Sequence, residues 1–88
     1  MNEHVYLEWL EDIATRLGVE LRYENLGVPG IRTEGGLCRL SGKAVILIDR
    51  RESRRRKIRI LVRALNRMDV DGIFIPPAVR RLLETRTN

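Results

Sequence analysis

An α+β fold, with a small three-stranded sheet and packed helices in the order α-β-β-β-α-α, is predicted by three features of this 88-residue chain. Helical periodicity recurs near both ends. An alternating segment and an apolar run between them read as strands, and a glycine-rich stretch separates those two. The length fits a single domain over residues 1–88, and 43% apolar against 33% charged residues is the balance of a folded chain with one modest core.

Residues 4–17 predict an amphipathic helix, with Tyr6, Leu10, Ile13 and Leu17 on one face and Glu8, Glu11, Asp12 and Thr15 opposite. Gly18 can end it by adopting the left-handed conformation. Val19, Leu21 and Tyr23 then alternate with Glu20, Arg22 and Glu24, the period of a half-buried strand. Asn25 to Gly36 hold four glycines and Pro29, which predicts a loop whose glycines act as hinges. Leu37 to Leu40 are expected to form a short strand, and Ser41-Gly42 a tight turn into Ala44–Ile48. That last run is apolar at five successive positions, so both of its faces should be covered.

Ser53 is a candidate N-cap for a helix running to about Arg67. At about 100° per residue, Ile58, Leu61, Val62 and Leu65 gather on its inner side, and Arg56, Arg59, Arg63 and Arg67 form a stripe nearly opposite. A turn at Asp69–Gly72, an extended Ile73–Ile75 and a short helix opened by Pro76-Pro77, with Val79, Leu82 and Leu83 inward, complete the chain.

Charge is unevenly distributed. Residues 1–24 carry six acids and two bases, whereas residues 50–67 carry nine of the seventeen basic residues against Glu52 alone. Such polarity steers anionic partners without bearing on the fold. Fifteen of the seventeen are arginine, a bias that GC-rich coding also produces. The longest apolar run, Ala44 to Ile48, is far short of the ~20 residues that span a bilayer, so no membrane partner is expected. The opening Asn2-Glu3-His4 has no secretory signal character, and the lone Cys38 has no partner for an internal disulfide; both lead to an expected cytoplasmic location.

The layout over residues 5–68 resembles the amino-terminal half of the ImmA/IrrE-type zinc metallopeptidase domain, a zincin-like family. The resemblance is carried by an opening helix ending Leu17-Gly18-Val19, a strand, a glycine-bearing loop, Gly36-Leu37-Cys38, and the hydrophobic strand Val45-Ile46-Leu47-Ile48-Asp49. A short linker then leads to Leu61-Val62, where the family places a Leu-Ala-type pair before H-E-x-x-H, and here Arg63-Ala64-Leu65-Asn66-Arg67 follows. The motif needs two imidazoles one turn apart on one zinc and a glutamate to activate water. Arginine at both ligand positions stays protonated and repels the cation, and Ala64 has no base to offer. The resemblance therefore implies a relative without the metal site or the peptidase chemistry.

Other candidate sites reduce to structural readings. Cys38 has no histidine positioned to activate it, His4 being the only one, so a buried structural cysteine is expected. Asp69-Val70-Asp71-Gly72 starts like a calcium loop but lacks the later oxygen ligands. The glycines at 27, 30, 35 and 36 match neither a P-loop nor a dinucleotide fingerprint. Trp9 and Ile73-Phe74-Ile75 either complete the core or form a contact patch.

The sequence thus leads to a non-enzymatic domain, without metal or cofactor, that presents Arg56, Arg59, Arg63 and Arg67 to an anionic partner. That partner is either an acidic protein surface or the phosphates of a nucleic acid bound without sequence preference. Base-specific readout is not expected, because almost no Asn, Gln, Ser or Thr lies among those arginines, and no aromatic interleaves with them for base stacking. The acidic first helix and the basic one also permit head-to-tail contact between copies, a homo-oligomer.

Overall fold

A computed structural model describes residues 2–27 and 35–84, in the order α1 (Glu3–Arg16), β1 (Glu20–Glu24), β2 (Gly35–Leu40), β3 (Lys43–Asp49), α2 (Arg54–Leu65) and α3 (Pro77–Glu84). This is the α+β order expected.

Asn2 caps α1, its side-chain oxygen accepting the Val5 N–H at 2.9 Å. At the other end Gly18 takes φ 77°, and the N–H groups of Gly18 and Val19 return to the carbonyls of Thr15 and Ala14 at 3.0 Å each. Both bonds close a Schellman turn, which aims the chain back along the helix as β1. The inward face is Leu10, Ile13 and Ala14, all fully buried.

The sheet has the order β1-β3-β2, with β1 parallel and β2 antiparallel to the central β3. Ser41 and Gly42, both with positive φ, make the two-residue turn that joins β2 to β3, the geometry that matches strand twist. β2 starts at Gly35, two residues earlier than expected, and the glycines there are not hinges. A side chain at Gly35 would come within 2.0 Å of the Leu47 carbonyl oxygen, and its φ of 98° disfavours other residues, so glycine lets this strand close on β3. Residues 28–34, including Gly30 and most of the expected loop, lie outside the described residues.

Alternation along β3 sends Ala44, Ile46 and Ile48 toward the helices and Val45 and Leu47 to the opposite face. Val45 is only 1% exposed although it stands outside the helix-side cluster; its neighbours in register are Glu20 and Cys38. Coverage of both faces therefore holds at Val45 and is partial at Leu47. Cys38 is half-buried on that face, less enclosed than expected.

α1 and α2 lie side by side on the sheet, α1 over β1 and α2 over β2 and β3, and the α3 backbone approaches the two helices rather than the strands. α2 is thus enclosed by the sheet and by two helices. This is why its buried set, Ile60, Leu61, Val62, Ala64 and Leu65, is wider than the stripe read from spacing, spanning an arc of about 200°. Ile60 and Ala64 join the core, while Ile58, expected inward, is only partly covered. α2 also ends earlier than expected: Asn66 is its C-cap, and Arg67 sits on the turn beyond, its N–H bonded to the Ala64 carbonyl at 3.1 Å. In the following connection the Asp69 carboxylate accepts the Asp71 N–H at 2.9 Å, a turn-forming use of that side chain. Pro77 opens α3, which buries Val79 and Leu83.

Candidate functional site

The nine basic residues of 50–67 fall into two groups once their partners are known. Four are bound into the fold. Arg50 donates from Nη2 to the Tyr23 carbonyl at 3.0 Å, and its N–H continues the parallel ladder onto the Glu24 carbonyl at 2.9 Å. Arg51 forks onto Asp49, Nε to Oδ1 at 3.1 Å and Nη2 to Oδ2 at 2.9 Å, while its own N–H adds a third bond to Oδ1 at 2.9 Å. Arg56 donates from Nε to Glu52 at 2.9 Å and is about two-thirds buried. Lys57 lies over the Tyr23 ring, 5.2 Å from its centre, a cation–π contact.

These contacts converge where β1 and β3 end and α2 begins. Asp49 is the one charged side chain buried there among the described residues, 7% exposed. The Arg51 guanidinium and N–H hold its carboxyl down at about 2, a shift from hydrogen bonding that outweighs desolvation. Near the end of β1 the Tyr23 hydroxyl donates to the Glu11 carboxylate of α1, and burial together with that carboxylate pushes the phenol well above its ordinary range. Ser53 Oγ accepts the Arg56 N–H at 3.2 Å and caps α2. This corner fixes the direction in which α2 leaves the sheet.

The remaining group points outward. Arg54, Arg55, Arg59, Arg63 and Arg67 are exposed. Arg55, at 80% exposed, has Glu3 of α1 3.5 Å away at its edge, and among the described residues no carboxylate reaches Arg59, Arg63 or Arg67. Of the four arginines expected from spacing, the structure brings Arg59, Arg63 and Arg67 onto one side and withdraws Arg56 to Glu52. The position it vacates is filled by Arg55, so the open row is 55, 59, 63 and 67, four residues apart throughout. Two signals were present in the sequence: that regular spacing, and Glu52 one turn before Arg56, the favoured arrangement for an intrahelical ion pair.

A row of unneutralised guanidinium groups on a rigid helix attracts anions and can hold carboxylates or phosphates through paired N–H donors. Among the described residues no three His, Cys, Asp or Glu side chains stand close enough to hold a metal ion. Arg63 and Arg67 are in the open row, and Ala64 between them is buried in the core. Among the described residues no helix is long and apolar enough to cross a membrane. No family model, curated protein or solved structure matches this chain.

Proposed function

We propose that this chain is a non-catalytic binding domain whose open arginine row, Arg55, Arg59, Arg63 and Arg67, receives an anionic partner. The observation that supports it most is the division of the basic residues: the fold uses Arg50, Arg51, Arg56 and Lys57, and leaves this row without an acid of its own beyond the edge contact with Glu3. Like charges at i,i+4, as in Arg55/Arg59 and Arg59/Arg63, cost roughly 0.2–0.5 kcal/mol per pair, so the row works against the helix that carries it. A feature that burdens stability and is absent from the packing is reasonably assigned to recognition. Descent from a metallopeptidase-like scaffold belongs to the same proposal; the helix, strand, hairpin, helix order supports it, and the arginines where the motif has its ligands account for the absence of peptidase chemistry in it.

Retention on a heparin matrix tests the reading. Arg59→Gln/Arg63→Gln is expected to elute at much lower salt than the parent. Arg80→Gln/Arg81→Gln, which removes the same charge from α3, is expected to shift elution less. Equal shifts for the two pairs would show that only net charge matters and would reject the site. Peptidase activity, or stoichiometric zinc in the purified protein, would reject the non-catalytic assignment.

A further inference from the structure

The outer face of α2 has no apolar side chain. Between Arg55 on one flank and Arg67 on the other, the remaining positions of that arc are Arg59, Arg63, the tethered Arg56 and Asn66. Ile58 turns toward the core cluster, and the large apolar residues that are exposed among the described residues, Leu40 and Phe74, belong to other segments. This composition separates two kinds of anionic partner. Protein interfaces draw their affinity from a desolvated apolar centre with charges at the rim, and this face has a rim without a centre. A phosphate backbone needs no such centre: its binding energy comes from counterions released as each phosphate is neutralised.

From this we infer that the partner is duplex DNA, gripped through its phosphates by Arg55, Arg59, Arg63 and Arg67 with no reading of base sequence. The inference rests on the anionic-partner reading above and narrows it. Within the helix, Arg55 to Arg63 span about 12 Å, with Arg67 on the turn beyond, and one DNA strand presents a phosphate about every 3.4 Å along the axis, so the row meets several at once. The rigid helical spacing suits a regular row of anions better than a flexible acidic chain, which would lose entropy to match it. Single strands are disfavoured because no aromatic side chain shares the face; Tyr23 is already covered by Lys57. A double-stranded RNA would offer its phosphates across a differently shaped groove, and a B-form major groove about 12 Å wide is the one that admits a helix. The row has one amide beside it, the half-buried Asn66 that caps α2, and its guanidinium groups are assigned to phosphates rather than to guanine edges, so affinity should follow length and salt rather than sequence.

The test is fluorescence anisotropy of the full chain with a labelled 20-base-pair DNA of two unrelated sequences, across 50–200 mM salt. Four phosphate contacts predict a slope of log K against log salt of about −3.6, a loss of about 150-fold over that range, the same for both sequences. Arg59→Gln and Arg63→Gln should each flatten the slope by about 0.9, whereas Arg56→Gln, whose guanidinium is held by Glu52, should leave it unchanged. Parallel titrations use a 20-mer polyglutamate, a single strand and an RNA duplex. Tighter binding of the single strand, of the RNA duplex or of polyglutamate would overturn the DNA assignment and leave the anionic-partner reading standing. Absence of binding to all of them would overturn both. A slope that Arg56→Gln flattens as much as Arg59→Gln would also reject the row proposed.

Discussion

α1 and α2 begin alike, from a small polar cap at Asn2 or Ser53, and lie side by side on the sheet with leucine and isoleucine buried between them. Their outer faces treat charge in opposite ways. On α1, His4 stands 3.4 Å from Glu8, Arg16 pairs with Asp12 at 2.9 Å, and Glu11 accepts the Tyr23 hydroxyl. On α2 Arg56 pairs with Glu52 just before the helix, and the row 55, 59, 63, 67 has no acid interleaved. The four acids of α1 outnumber its one arginine, yet each has a side-chain partner inside the protein, Glu3 with Arg55 included. A helix whose charges repel each other along its length is stabilised by whatever anion settles on it, and this contrast supports the proposal that recognition lies on α2.

The widest way to break the contrast is to show that α2 holds no core. Leu61 is fully buried, and Leu61→Ala should lower unfolding free energy by about 2–5 kcal/mol in denaturant titration; a loss under about 1 would mean that the helix is not packed as described. The caps come next. Ser53→Ala and Asn2→Ala should each cost about 1 kcal/mol, since each oxygen accepts one free N–H of its helix. A much larger loss at Ser53 would show that the α2 start depends on more than its cap.

Acid sharpens the same contrast at the junction between β3 and α2. The carboxyl of Asp49 is held at about 2, below its ordinary 3.8, so its contribution is fully present above about pH 4 and is lost as pH falls from there toward 2. In Asp49→Asn that part of the acid sensitivity should vanish. Equal loss of stability between pH 5 and pH 3 in the variant and the parent would show that the Arg51 fork contributes nothing.

The smallest effects carry the most information about the outer face. Arg59→Gln removes like-charge repulsion on both sides and should raise stability by a few tenths to about 1 kcal/mol. Arg56→Gln breaks the Glu52 pair and should lower it by roughly 0.2–1 kcal/mol. Matching signs would erase the distinction between the tethered arginine and the open row.

Much of this architecture was legible from residue pattern because it rests on local rules. The Gly18 stop, the alternation of Val19 to Glu24 and the Ser41-Gly42 turn each depend on a few adjacent residues, and each is where the pattern predicts it. What escaped depends on distant partners. The parallel pairing of β1 with β3 is invisible to either strand alone. Gly35 reads as a loop glycine until Leu47 is known to lie against it. Ile60 and Ala64 fall outside the inward set read from spacing, and they are covered because α1 and α3 close on α2 and widen its buried arc. At the site, a helical wheel places Arg56 beside Arg59 and Arg63, and only the reach of Glu52 from the preceding turn removes it.

The contrast between the two helices is tested most directly by titrating the labelled protein with a short DNA duplex and following backbone amide shifts at low and high salt. The account predicts shifts concentrated between Arg54 and Arg67, little change along α1, and disappearance of the shifts at high salt. Shifts centred on α1 or on the Val45 face of the sheet, or shifts on α2 that persist at high salt, would contradict it.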